Sequence, residues 1–232
     1  MGADVSPQVP ALHVLLPAGG SGSRAGTAQP KQYELLAGRP LIEHTLAAFA
    51  RVPRLSQVLV VVAPDDGRMP AGQGWRVARC GGATRAESVR NGLAELLRSG
   101  ARDDDWVLVH DAARCLVEPR LVQRLIDACV PDEVGGLLAL PLADTLKEER
   151  GGRSAATLAR AGKWLAQTPQ MFRLGVLRRA LDHAGAQVTD EASAIEAIGL
   201  QPLLVPGSSH NIKVTWPEDF ALAEAILQRT VT

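Results

Sequence analysis

Short, unbroken apolar runs rich in Val and Leu alternate along this chain with longer stretches whose apolar residues recur at i, i+3, i+4 and i+7. The runs are His13 to Pro17, Gln57 to Ala63, Trp106 to His110, Val134 to Leu140 and Pro202 to Val205, bounded by Pro, Gly or Asp. The helical period holds over Leu41 to Arg51, Arg85 to Arg98, Glu118 to Val130, Gly175 to Ala184 and Asp190 to Ile198. A last helix starts at Trp216-Pro217, where proline suits the first turn, and ends near Gln228. A strand that is apolar throughout is covered on both faces, and helical crossovers connect parallel strands. The pattern therefore predicts a Rossmann-like α/β three-layer sandwich with a mainly parallel central sheet and a ligand site at the carboxyl ends of the strands. With 232 residues, the expectation is one domain over 1–232, with Met1 to Val9 as a loose leader and no room for a further domain after the last helix.

Charge and cysteine content exclude several function classes. The 25 basic and 25 acidic residues balance, so no polyanion-attracting field is expected and nucleic acid is not a partner. No apolar stretch approaches ~18 residues and no signal peptide is present, which predicts a protein without membrane contact. Cys80, Cys115 and Cys129 are an odd set without CxxC spacing, suited to the reducing cytoplasm and not to a disulfide framework or a zinc site.

Polar chemistry gathers where strands end. Residues 17–33 read PAGGSGSRAGTAQPKQY. Here Gly19, Gly20, Gly22 and Gly26 let the backbone turn tightly and present N–H groups to an anion, and Ala18, at the start of the loop, is a further expected nucleotide-binding position. Arg24 adds a bidentate fork and Lys31 a compact positive charge. The loop is neither GxxxxGK[ST] nor a GxGxxG opening directly into a helix, and Arg24 could also be a solvated loop charge. Asp111 follows the run Trp106 to His110 and is either a Mg²⁺ ligand shared with substrate phosphates or a helix-capping carboxylate. His110 reads as a packed or hydrogen-bonded neighbour. Gly81 and Gly82 follow the strand-like WRVARC, with Ser88 one turn into the next helix; they could admit a flat ring or form a helix N-cap turn. Asp190 and Glu191 read as a helix-capping acidic pair, not as metal ligands. From Pro141 to Gln167 the sequence turns polar around Gly151-Gly152, which is either a hairpin arm leaving the domain or an ordinary surface hairpin.

The segments PAGGSGSR with PKQY, GGATRAESV (81–89), VHDAAR (109–114), DT (144–145), TPQMF (168–172), TDEASA (189–194) and NIKVTWPEDFALAE (211–224) resemble, in order, those of the 2-C-methyl-D-erythritol 4-phosphate cytidylyltransferases of the non-mevalonate isoprenoid pathway. Seven segments in register span roughly residues 12–229, nearly the whole chain. The resemblance implies a nucleotidyltransferase that joins CTP to 2-C-methyl-D-erythritol 4-phosphate with Mg²⁺, releasing pyrophosphate. It also implies a homodimer in which the 141–167 arm completes the partner's substrate site.

Roles follow position by position from the same resemblance. Arg24 and Lys31 would stabilise the five-coordinate phosphorus. Gly82 and Ser88 would contact cytosine. Asp111 would hold the metal. Lys213, otherwise an ordinary loop lysine, would sit near both substrates, and Arg114, Thr145, Arg160 and Thr168 would bind the methylerythritol phosphate. Arg150 and Arg153 remain alternatives to Arg160. The chain departs from the family pattern at Cys115, where a proline is common, and at Ala83, where some relatives carry Asp. Transfer to another polyol phosphate such as ribitol 5-phosphate, and a binding module without turnover, are the competing readings. Retention of Arg24, Lys31, Asp111 and Lys213 together argues against the second.

Overall fold

The computed structural model describes residues 9–20, 30–69, 72–185 and 188–230. Arg24, Gly22 and Gly26 of the first loop, and most of the expected leader, lie outside them. Within the described residues β1 (Leu12–Pro17), β4 (Leu55–Val61), β5 (Arg76–Ala78), β6 (Trp106–Val109), β7 (Gly135–Pro141), β10 (Trp164–Arg173) and β11 (Leu203–Pro206) form a seven-stranded sheet, while β2 (Leu35–Leu36) and β3 (Arg39–Pro40) pair separately. The order in the large sheet is β11-β7-β10-β6-β1-β4-β5. Strand β10 runs antiparallel to β6 and β7; the other pairings are parallel.

The continuous apolar runs have the expected cause. Along β1, Val14 and Leu16 face one core and Leu15 the other; along β6, Trp106 and Leu108 oppose Val107 and Val109. The first core is closed by α1 (Leu41–Ala50) and α3 (Pro119–Cys129), through Ile42, Leu46, Phe49, Leu121 and Leu125. Helices α2 (Arg85–Arg98), α4 (Leu174–Ala184) and α5 (Glu191–Ala197) cover the second through Leu93, Leu177 and Ile195. Each fully buried Val or Leu contributes on the order of 1.5–3 kcal/mol, so two filled faces secure the sheet. Helix α6 (Pro217–Thr230) closes a smaller cluster with Leu36, Leu41, Cys115 and Val214. No helix of the described residues is long and apolar enough to cross a membrane.

Strand β10 is the element that periodicity does not reveal. Its inner half carries Gln167, Thr168, Pro169 and Gln170, which belong to none of the apolar runs, yet all four are buried. Side chains bonded to other elements make that burial possible. Gln170 donates to Asp190 Oδ2 at 2.9 Å and accepts the Ala192 N–H at 2.7 Å. The pairing with β7 is interrupted between Ala166 and Gln170, around Pro169, which has no N–H to give to a ladder.

The polar 141–167 segment forms a hairpin of its own, β8 (Leu146–Arg150) with β9 (Arg153–Leu158), outside the large sheet. Gly151 and Gly152 have φ of 59° and 76°, so both turn residues occupy the left-handed region that glycine tolerates. Its side chains are largely exposed, including Leu158, and just beyond it Trp164 and Leu165 are exposed as well.

Candidate active site

Strand order reverses direction between β1 and β6, and the loops leaving these two strands diverge to open a cleft of about 460 Å³. Its lining includes Ala18, Gly19, Gly20, Lys31, Gly82, Ser88, Asp111 and Lys213, eight of the residues expected to act on substrate. The first loop is fixed at its start: Ala18 N–H donates to Val61 O at 2.7 Å, and the buried Gln32 amide donates to Ala18 O at 2.7 Å. Gln32, inside the matched PKQY, is a positioning residue that motif reading passed over.

The loop after β5 forms the opposite wall. Gly81 N–H donates to Val62 O at 2.8 Å, and a Cβ on Gly81 would stand 2.8 Å from that same oxygen, so only glycine fits without backbone movement. Helix α2 then starts in a capping box, Thr84 accepting the Glu87 N–H while the Glu87 carboxylate accepts the Thr84 N–H. Ser88 Oγ donates to Thr84 O and accepts the Gly82 N–H at 3.1 Å, so the hydroxyl expected to meet a base also holds the glycine turn in shape.

Four charges on four segments form one chain at the cleft floor. Glu191, at the start of α5, takes Arg85 through two bonds of 2.7 and 2.9 Å. Arg85 Nε donates to Asp111 Oδ1 at 2.8 Å, and Lys213 Nζ lies 2.7 Å from Asp111 Oδ2. Burial opposes ionisation of Asp111, but the neighbouring Arg85 and Lys213 charges outweigh it and hold the carboxyl far below the usual range. Lys31 approaches from the other side, its ammonium donating to Val214 O at 2.6 Å. Arg85 is the residue that sequence reading missed: it lies in the matched GGATRAESV, but its two carboxylate partners are 26 and 106 positions away. Asp190 caps α5 as expected, accepting the Ser193 N–H, whereas Glu191 does not cap and instead anchors Arg85.

The remaining expected site residues are placed elsewhere. Thr168 is buried; its hydroxyl accepts the Asp111 N–H at 3.0 Å and sits 3.0 Å from His110 Nδ1, so it supports the 110–111 turn from below. His110 is the packed neighbour anticipated, edge-on to Phe49, with burial pushing its pKa down to about 4. Arg114 donates to the carbonyls of Asn211 at 2.8 Å and Ala166 at 3.3 Å, latching the loop that carries Lys213 to the base of the hairpin. Asn211, buried, reinforces the latch through Thr168 O. Thr145 and Arg160 are exposed at the hairpin ends and outside the cleft lining.

The family model for 2-C-methyl-D-erythritol 4-phosphate cytidylyltransferase (IspD) matches residues 12–229. The chain belongs to this family. Among IspD relatives, a 2-C-methyl-D-erythritol 4-phosphate cytidylyltransferase of Laribacter hongkongensis is 58% identical over 220 residues, covering 92% of this chain and 94% of that protein. A bifunctional IspD/IspF enzyme of Albidiferax ferrireducens is 62% identical over 226 residues; the match covers 96% of this chain but spans only 54% of that longer protein. A crystal structure of a 4-diphosphocytidyl-2C-methyl-D-erythritol synthase superposes with a TM-score of 0.85 at 40% identity, over 95% of this chain and all of that one. The IspD family consists of nucleotidyltransferases, which make 4-diphosphocytidyl-2-C-methyl-D-erythritol from CTP and the methylerythritol phosphate.

Proposed function

We propose that the cleft carries out this cytidylyl transfer with Lys31, Lys213 and Arg24 as the charge-neutralising groups. The observation that carries the reading is the convergence of Lys31, Asp111, Lys213 and the Gly82 backbone on one crevice at the strand ends of an IspD-family chain. The triphosphate lies along the first loop, with cytosine against the Gly82 main chain and Ser88. A phosphate oxygen of methylerythritol phosphate attacks the α-phosphorus, the bond to the pyrophosphate oxygen breaks, and pyrophosphate leaves with the electron pair. The attacking oxygen is already ionised, so no general base is needed. Positioning and cations account for the rate.

Magnesium suits the donor set. Among the described residues no group of three or more His, Cys, Asp or Glu side chains is placed to form an all-protein cage, and the cleft offers the single ionised carboxylate of Asp111. That is the pattern of an ion held by one carboxylate, phosphates and water. Bound there, Mg²⁺ would supply further neutralisation of phosphate charge. The β8–β9 hairpin, with Leu158, Trp164 and Leu165 exposed on or beside it, serves as a dimerisation arm carrying Thr145 and Arg160 to the partner's methylerythritol phosphate. We place the enzyme in the cytoplasm, as one nucleotidyltransferase domain.

The test is pyrophosphate release with Mg²⁺, offering CTP, ATP, GTP and UTP against 2-C-methyl-D-erythritol 4-phosphate and ribitol 5-phosphate. Release confined to CTP with the methylerythritol phosphate supports the reading; turnover with ribitol phosphate alone changes the substrate, and silence with every pair refutes catalysis.

A further inference from the structure

We infer that Arg85, anchored by Glu191, is a positioning residue that divides the two oxygens of Asp111 between a permanent partner and an exchangeable one. Arg85 spends Nε on Asp111 Oδ1 and both Nη atoms on Glu191, so its fork is filled on two sides and tied to α5. Glu191 is almost wholly buried, its side chain 1% exposed, and releasing Arg85 would leave that carboxylate unpaired in the protein interior. Asp111 Oδ1 is therefore locked. Oδ2 faces a different partner: Lys213 ends a flexible stem, 39% exposed, and its ammonium pairs with Asp111 in an ion pair that phosphate oxygens can replace.

Substrate entry then becomes an exchange. Lys213 turns from Asp111 to the incoming phosphates, and Oδ2 is freed, already aimed, for the divalent cation. Two charges are swapped in a site that is never left with a bare buried carboxylate. Without the Arg85–Glu191 clamp the carboxylate could rotate and follow the lysine. The clamp thus sets the geometry of the metal ligand without touching substrate.

This inference rests on the reading of Asp111 as the metal ligand, so the experiment separates the two. Mn²⁺ alone is titrated into the full chain and followed by electron paramagnetic resonance, with circular dichroism melts to confirm folding. Asp111→Asn abolishes binding if Asp111 is the ligand; unchanged binding in that variant overturns the metal reading itself. Given that loss, Lys213→Met binds Mn²⁺ about fivefold more tightly than the parent, the size of one partly exposed ion pair removed as competitor. Arg85→Lys and Glu191→Asp keep every charge but break the fork, and each weakens Mn²⁺ binding by about tenfold, as for other hydrogen-bonding partners of metal ligands. A merely structural role for Arg85 and Glu191 predicts lowered melting temperatures with parental Mn²⁺ affinity in the folded Arg85→Lys and Glu191→Asp variants. Parent-like affinity in Lys213→Met, or in a folded Arg85→Lys or Glu191→Asp, overturns the inference.

Discussion

At the scale of single residues, Lys31 is the group whose loss reports most directly on the chemistry. Its ammonium reaches the cleft beside Val214 O, and in the proposed reaction it neutralises phosphate charge there. Lys31→Ala is expected to lower kcat at least ~100-fold, about 2.7 kcal/mol of transition-state stabilisation by analogy with a lost oxyanion donor, with an unchanged melting temperature. Near-parental single-turnover rates would reduce its bond to Val214 to a structural tie. Thr168→Val separates support from substrate contact. It leaves the buried Asp111 N–H and His110 without their partner, and should cost about 1–3 kcal/mol in urea titration while sparing the KM for methylerythritol phosphate. A raised KM with unaltered stability would restore Thr168 to the substrate. The three thiols are free, and burial pushes Cys115 and Cys129 up to about 12, which leaves them unreactive packing groups.

At the scale of elements, the cleft depends on how one helix begins. The capping box of α2 orders Thr84 to Glu87, and Arg85 projects from that first turn into the charge chain. Thr84→Ala should lower stability by about 1 kcal/mol through loss of the cap, and should also weaken activity because Arg85 loses its fixed origin. Thermal melts and kcat/KM measured on the same preparation check both; a stability loss with full activity would uncouple the cap from the site. Helices were legible here because their apolar period, and the proline at the first turn of α6, are local signals. Strand β10 was not, because Gln167, Thr168, Pro169 and Gln170 mimic a loop until Asp190, Ala192 and Asn211 supply their partners. Glu191 was misassigned for the same reason: a first-turn carboxylate looks like a cap until an arginine from another helix reaches it.

At the scale of the whole molecule, acid and assembly are the informative perturbations. Burial keeps His110 neutral in the fold down to about 4, while in the unfolded chain it titrates near ~6.5. The folded state therefore binds fewer protons between those values, and this contribution is complete above about 6.5 and lost as pH falls toward about 4. Asp105 adds a second decline. Burial opposes its charge, but N–H groups of Arg102 and Ala11 and the Arg102 and His13 side chains hold it at about 2, so its contribution is lost as pH falls from about 4 toward about 2. Urea midpoints should fall steadily from pH 7 to pH 3; a rise on acidification would contradict both signs. For assembly, Trp164→Glu with Leu165→Glu should convert the proposed dimer to monomers by sedimentation and lower kcat/KM for methylerythritol phosphate, whereas an unchanged mass would remove the arm from dimerisation. The amino-acid sequence by itself determined the layered α/β architecture, the glycine turns and the residue types at the strand ends, because periodicity and turn chemistry act over a few residues. Only the tertiary structure decided which charges meet. Glu191, Arg85, Asp111 and Lys213 come from four separate segments, and their pairing depends on distance and burial, which no local pattern carries.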